Sequence, residues 1–253
     1  MFSTDRTNKW FKRFTDKYKI DGTFHPMLDL KFKHSKRVSA ICSEIADSMG
    51  WEEEGDSWQA ASVGLLHDVG RFTQYRDYST FFDSLSVDHG DLGAEIIMNE
   101  FDWHGIPDIL KGHIISAVKF HNKKEIPSGL KLGAYKWSCL VRDADKIDIY
   151  RMVEERIDNG TIFEMLPRHQ MAEGLSAELV EEIRMTGSGS YSQARSLQDY
   201  RLIQLTWGCD LNFPVSVATL KEEKIVERIR EDLSSYGIND LVDKLINQIY
   251  SMV

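Results

Sequence analysis

Apolar residues recur at helical spacing along almost the whole of this 253-residue chain. One clear run places His34, Val38, Ile41, Ile45 and Met49 at steps of four, three, four and four residues, so their side chains share one face of a helix. Proline, which interrupts helices, occurs only 5 times. No segment gives a convincing strand pattern. The sequence therefore predicts an all-α fold.

The ends of six helices before residue 160 can be predicted from capping and breaking residues. We expect one helix to end before Gly22, and a second to follow the His25-Pro26 turn and end at Gly50. A third should run from Asp56 or Ser57 to the pair His67-Asp68, with Gly70 ending it. The other three should begin at Asp88, begin at Pro107 and span about residues 130–157.

Two parts of the chain are less regular. Residues 71–87 are rich in aromatic residues with weak periodicity, which fits either a loop beside a site or aromatic packing over the core. After Gly160 the pattern is mostly helical, with two helices predicted over residues 215–253. We expect residues 1–160 to form a helical metal-binding core and residues 161–253 to form a helical extension packed on the same domain.

Composition limits the class of protein. A formal net charge of −9 argues against a dedicated nucleic-acid-binding surface. No apolar run approaches the roughly 20 residues of a membrane span, and the N-terminus lacks a secretory signal. The three cysteines are far apart, which excludes a thiolate zinc cluster and fits a reducing compartment. We therefore expect a cytoplasmic protein with no membrane partner.

Four residues on inward faces or inner ends of separate predicted helices could share a cation: His34, His67, Asp68 and Asp145. Imidazole and carboxylate suit Mn, Fe, Ni, Co or Zn ions. A single inward histidine is more often a hydrogen-bonded core residue. An unpaired buried aspartate is costly, however, and one cation would serve both aspartates. The four residues together therefore predict a metal site.

These residues, in this order, resemble the H…HD…D signature of the HD-domain superfamily of metal-dependent phosphohydrolases. The segments that carry the resemblance are His34-Ser35-Lys36-Arg37-Val38, Gly64-Leu65-Leu66-His67-Asp68-Val69-Gly70-Arg71 and Arg142-Asp143-Ala144-Asp145-Lys146. The resemblance covers roughly residues 25–160 and implies an HD-type helical bundle. It assigns the last ligand to Asp145, because the family's last motif places its aspartate before Lys or Arg. Asp143 and Asp148 would then be surface carboxylates or supports for the ligands.

The resemblance also bears on the number of ions. Binuclear HD families carry extra histidine ligands between the HD pair and the last aspartate, and the HD aspartate bridges two metals. This implies that His89 and His121 bind a second ion, and that His113 is a ligand, a support or a core histidine. His121 matches the place where those families carry a His or a His pair, but here Asn122 follows it instead of a second His, and the chain lacks a GYP triplet. One or two divalent transition-metal ions are expected, and His25, His104 and His169 are expected at the surface.

The implied function is hydrolysis of a phosphomonoester or phosphodiester by metal-activated water. The substrate would be a small phosphorylated molecule, for which a nucleotide is one candidate. Asp68 would orient the water, and Arg71 and Lys146, each within a turn of a ligand, would meet substrate oxygens or else pair with ligand carboxylates or face solvent. Two other classes stay open: a non-catalytic, metal-stabilised binding or regulatory module, and a di-iron oxygenase of HD type. The helices after residue 160 could cap the core, close the site or form a homodimer interface.

Overall fold

The computed structural model describes residues 3–53, 55–166 and 172–251. Within these ranges the chain is α-helical and forms no strand, only an isolated bridge between Ile20 and Thr23. The predicted all-α fold is therefore confirmed. No helix in these ranges combines the length and the apolar character that crossing a bilayer requires.

The chain forms two compact units, Met1–Asp148 and Ile149–Val253. The helices of the first unit are α1 (Thr4–Asp16), α2 (Pro26–Ser48), α3 (Asp56–Leu66), α4 (Val69–Tyr78), α5 (His89–Glu100), α6 (Asp108–Phe120) and α7 (Leu132–Asp158). The unit boundary falls inside α7. Packing of residues 161–253 on the same domain stays a prediction.

Several predicted helix ends are confirmed in the first unit. Pro26 opens α2, Asp88 caps α5 by accepting the Asp91 backbone N–H, and Pro107 directly precedes α6. These ends carry proline or a side-chain acceptor, which are the strongest local signals for a helix start. These helix starts place His34 within α2 and make His89 the first residue of α5.

The role predicted for Gly70 was wrong. Helix α3 ends at Leu66, the chain turns at His67 and Asp68, and α4 begins at Val69, so Gly70 lies within a helix. A Cβ atom at Gly70 would stand 2.1 Å from the backbone oxygen of His89. Glycine is required there because α4 and α5 approach closely, not because a helix ends.

The segment of residues 71–87 is also more regular than a loop. It continues α4 to Tyr78 and contains a 3-10 turn at Asp83–Leu85. Phe72 is fully buried and its ring contacts the rings of Phe11 and Phe14 in α1. Aromatic packing over the core is thus the correct interpretation for Phe72.

Within its described residues, the second unit contains the end of α7 followed by α8 (Ile162–Met165), α9 (Ala177–Thr186), α10 (Leu197–Gly208), α11 (Pro214–Glu222), α12 (Ile225–Leu233) and α13 (Asn239–Tyr250). Two helices were predicted over residues 215–253, but the structure has three there. Lys224, with φ of 56°, separates α11 from α12, and Gly237, with φ of 72°, separates α12 from α13. A lysine gives no sequence signal for such a break, since left-handed backbone is rare for it.

Candidate metal centre

The candidate ligands come together in the first unit from five helices or helix ends. His34 lies on α2, His67 and Asp68 form the turn between α3 and α4, and His89 is the first residue of α5. His121 directly follows α6, and Asp145 lies on α7. All but Asp145 are buried, and the Asp145 side chain is 23% exposed. The site is thus a protein interior with an opening on the Asp145 side.

The first cluster consists of His34 Nε2, His67 Nε2, Asp68 Oδ2 and Asp145 Oδ1. His34 Nε2 lies 3.0 Å from the Asp145 oxygen, 3.2 Å from His67 Nε2 and 3.6 Å from the Asp68 oxygen. His67 Nε2 lies 3.5 Å and 3.7 Å from the oxygens of Asp68 and Asp145. With metal–ligand distances of about 2.1 Å, neighbouring ligand atoms stand about 3.0 Å apart in an octahedron and about 3.4 Å apart in a tetrahedron. The spacing of the first cluster therefore suits a transition-metal ion.

The second cluster consists of Asp68 Oδ1, His89 Nε2 and His121 Nε2. The two nitrogens are 3.0 Å apart, and they lie 3.5 Å and 3.8 Å from the Asp68 oxygen. Asp68 therefore offers a different oxygen to each cluster. Within the described residues, His34, His67 and Asp68 form one group of ligand atoms that could hold a metal ion, and Asp68, His89 and His121 form another. Asp145 joins the first group through its contacts with His34 and His67.

Each of the four imidazoles is fixed by its other ring nitrogen. The Nδ1–H groups of His34 and His89 donate to Asp148 Oδ2 and Asp83 Oδ2, each at 2.7 Å. Those of His67 and His121 donate to backbone oxygens of Gly64 and Val118, also at 2.7 Å. Metal-binding histidines show this arrangement, which fixes the tautomer and turns Nε2 toward the ion.

The hydrogen-bond pattern provides a test of whether a cation fits. Carbonyl oxygens only accept hydrogen bonds, so the proton of neutral His121 is on Nδ1 and its Nε2 carries a lone pair. The same holds for His89, whose Nδ1–H faces a carboxylate. The two lone pairs then face each other at 3.0 Å, which is repulsive unless a positive charge lies between them. The donor set therefore fits a divalent ion.

The pKa values of the second cluster favour neutral ligands. Burial lowers the pKa of His89 to about 4, helped by the charge of Arg71 and opposed by its bond to Asp83. Burial likewise lowers the pKa of His121. Both imidazoles are thus uncharged near neutral pH and ready to bind a cation.

In the first cluster, by contrast, the pKa of His34 is raised. Burial and Lys31 act to lower the pKa of His34, but hydrogen bonds to Asp145 and Asp148 outweigh them and raise it. Burial alone would raise the pKa of Asp68, yet Lys31 and the neighbouring histidines hold it well below its usual range. Asp68 is therefore an ionised carboxylate within the protein interior.

Arg71 is paired with Asp83, the carboxylate that supports His89, and its contact with substrate oxygens stays a prediction. Its Nη1 donates to Asp83 Oδ1 at 2.8 Å and to Gln74 Oε1 at 2.9 Å. Its Nε lies 3.6 Å from Asp68 Oδ1. Lys146 is half-buried and directly follows Asp145 on α7. Arg71 is thus anchored by one end of its guanidinium, with Nε turned to the site.

His113 lies apart from both clusters. Its Nδ1 and Gln59 Oε1 are 2.9 Å apart, and its ring packs against Gly133, where a Cβ atom would stand 2.3 Å from His113 Nε2. Eight residues separate it from His121, so the same side of α6 carries both, but two turns apart. His113 therefore packs on Gly133 and is hydrogen-bonded to Gln59, and it is not one of the ligand atoms of either cluster.

Sequence reasoning missed two residues that contact the ligands of the site. Lys31 Nζ donates to Asp68 Oδ2 at 2.7 Å, and Asp83 supports both His89 and Arg71. Lys31 could have been found, because it precedes His34 by one helical turn. Asp83 could not, since it lies in an irregular segment. Asp148 supports His34.

The remaining predictions concern residues outside the clusters. Asp143 is buried and lies two positions from Asp145, so it points to another side of α7. His25 and His104 are exposed, as expected. His169 lies outside the described residues.

Comparisons with known proteins agree with this geometry. The family model described as HD domain matches residues 32–159. This range covers just over half of the chain and contains every residue of both clusters. Neither the comparison with curated proteins nor that with solved structures found a match.

Proposed function

Because this chain belongs to the HD domain family, which includes metal-dependent phosphohydrolases, we propose that it hydrolyses a phosphomonoester or phosphodiester. The observation that supports this most directly is the position of Asp68, whose two oxygens face two separate sets of imidazole nitrogens. A small phosphorylated molecule such as a nucleotide is the proposed substrate.

Two divalent ions would use the two clusters. His34, His67, Asp145 and Asp68 Oδ2 would hold one ion, and His89, His121 and Asp68 Oδ1 would hold the other. Divalent ions in such a site acidify a water molecule and neutralise charge on phosphoryl oxygens. The nitrogen and oxygen ligands are compatible with Mn, Fe, Ni, Co or Zn.

The chain's own residues would position the reactants. The four Nδ1–H bonds hold the imidazoles in place before substrate arrives, so little reorganisation is needed during the reaction. Asp68 would orient the attacking water, and Arg71 would stabilise charge on the phosphoryl oxygens through its inward Nε–H. Burial of the ligands limits access of bulk water.

The test is hydrolysis of a panel of esters by protein of measured metal content, followed as release of inorganic phosphate from monoesters and as release of the alcohol from diesters. Wild type should turn over at least one ester, and Asp68→Ala should not, with unchanged helical content by circular dichroism. Failure of fully metal-loaded wild type on the whole panel would contradict the proposal and favour a metal-stabilised binding or regulatory module. Oxygen uptake by the iron-loaded protein, without phosphate release, would instead identify a di-iron oxygenase.

A further inference from the structure

Lys31 differs from the ordinary surface lysines of α2. Its side chain is 17% exposed, and its ammonium lies 2.7 Å from Asp68 Oδ2. Lys33, two residues later, is 64% exposed and pairs with Asp29 on the same helix. Lys31 precedes His34 by one turn and so lies on the face that carries the ligand. It is an inward lysine directed at the centre of the site.

Arg71 approaches the same carboxylate from its other oxygen. Its Nε lies 3.6 Å from Asp68 Oδ1, and this buried N–H has no hydrogen-bond partner in the structure. The Arg71 guanidinium carbon and Lys31 Nζ are each 5.7 Å from the centre of the Phe81 ring. Two cationic groups, both against one aromatic ring, therefore converge on Asp68.

The charge balance changes when metal is held. Asp68 Oδ2 belongs to the first cluster. When Asp68 binds a divalent ion there, its negative charge no longer fully neutralises the positive charge of the Lys31 ammonium. A largely buried ammonium needs an anionic partner. Arg71 has an unused donor on the other side of the same carboxylate. Metal binding would therefore create a demand for an anion with several acceptor oxygens.

Building on the proposed function, we propose that Lys31 and Arg71 form an anion subsite for the doubly charged phosphoryl group of a phosphomonoester. Lys31 exchanges Asp68 for a phosphoryl oxygen when the metal ions are present. A phosphodiester carries one negative charge and has a second ester group in place of a free oxygen, so it satisfies the two cationic groups less well. The subsite therefore favours monoesters over diesters.

Binding of inorganic phosphate to metal-loaded protein tests the subsite without turnover. Measured by calorimetry, the Kd for phosphate should be about tenfold or more higher for Lys31→Gln than for wild type, since a hydrogen bond to a charged group is lost. Glutamine can still donate to Asp68, so folding should be preserved, which circular dichroism checks. Lys33→Gln is the matched control and should bind phosphate like wild type. An unchanged Kd for Lys31→Gln would overturn the proposal.

Metal content must be measured in the same samples. Lys31→Gln should keep its ions, because removing an ammonium from Asp68 does not weaken attraction for a cation. If Lys31→Gln lost both its metal and its phosphate binding, Lys31 would act through the metal site. That result would overturn the proposed anion subsite.

The preference for monoesters is tested with p-nitrophenyl phosphate and bis(p-nitrophenyl) phosphate, which share a leaving group. Lys31→Gln should lower kcat/KM for the monoester about tenfold more than for the diester, and Lys31→Arg should restore part of the loss. Equal losses on both esters would overturn the preference. If wild type hydrolyses neither ester nor any other of the panel, the proposed function fails, while the phosphate titration still decides the role of Lys31.

Discussion

The two ligand clusters share Asp68 but are built from different kinds of structure. In the first, His34 and Asp145 come from the interiors of the 23-residue α2 and the 27-residue α7. Asp148, which supports His34, also lies on α7 and accepts two further bonds from Arg37. Its side chain is 2% exposed. Two of the four ligands and this support thus belong to the same two long helices, while His67 and Asp68 come from the turn between α3 and α4.

In the second cluster the ligands lie at helix ends. His89 is the first residue of α5 and His121 follows the last residue of α6. The supporting carboxylate, Asp83, comes from a 3-10 turn and its side chain is 31% exposed. Helix ends and short turns open locally at lower free energy than packed helix interiors. We therefore expect the second ion to bind more weakly than the first.

The largest expected effect is that of Asp68→Ala, which removes the residue that joins the clusters. Both ions should be lost, since each cluster loses an oxygen ligand, and turnover should be abolished. Plasma mass spectrometry of protein purified without chelator gives the metal content per chain. Asp145→Ala is the comparison, and it should weaken only the first ion. Retention of two ions by Asp68→Ala would show that the clusters do not depend on a shared carboxylate.

Gly70→Ala should break the second cluster through packing. The new Cβ would stand 2.1 Å from the backbone oxygen of His89 and 2.9 Å from the backbone nitrogen of Gly93. Backbone cannot move aside as a flexible side chain does, so we expect a loss of about 1–3 kcal/mol or more in the free energy of unfolding. Displacement of α5 should also remove the second ion while the first stays.

Gly112→Ala in α6 is the matched control, because no atom lies within 4 Å of its added Cβ. It should leave both ions in place and increase stability by up to about 1 kcal/mol, since alanine favours a helix over glycine. Urea unfolding and metal content measure both effects. Equal stability of the two variants would contradict the close approach of α4 and α5.

Asp83→Asn and Asp148→Asn should separate the clusters most sharply. Asp83 accepts from Arg71 and Gln74 with Oδ1 and from His89 with Oδ2, so an amide must turn its NH₂ toward a donor. Asp148 is in the same position between Arg37 and His34. Each variant should weaken one ion by about 10–100-fold, the range found when supports of metal-bound histidines are lost.

Calorimetric titration with Co²⁺ should show two binding events in wild type. Asp148→Asn should weaken the tighter event and Asp83→Asn the weaker one, and the double variant should weaken both. If both single variants act on the same event, the two carboxylates do not support separate ions.

The same comparison explains what the sequence could predict. Helical periodicity predicted that His34 faces inward, and Asp88 predicted the start of α5. Both could be predicted because these signals are local and regular. The pattern of residues could therefore predict the inward position of His34, which lies within a long helix. Its support by Asp148 follows from the three-residue spacing to Asp145, which places both on one side of α7.

What the sequence could not predict depends on contacts between elements. The sequence alone does not show whether Gly70 ends a helix or makes room for a neighbouring backbone. Only the position of α5 beside it distinguishes the two roles. Asp83 is six residues before His89 in a segment without periodicity, so nothing local links it to an imidazole. The spacing of Lys31 to His34 could place it on the ligand face of α2, but its pairing with Asp68 depends on where the turn between α3 and α4 lies.

The smallest expected effect is that of His113→Gln, which tests whether the second cluster is complete without this residue. His113 is bonded to Gln59 and packed on Gly133, and both contacts lie away from the ligands. The variant should keep both ions and lose about 1 kcal/mol of stability for one altered hydrogen bond. His121→Gln, at the C-terminal end of the same helix, should lose the second ion. If His113→Gln lost an ion as well, His113 would belong to the metal site and the second cluster would need a further ligand beyond Asp68, His89 and His121.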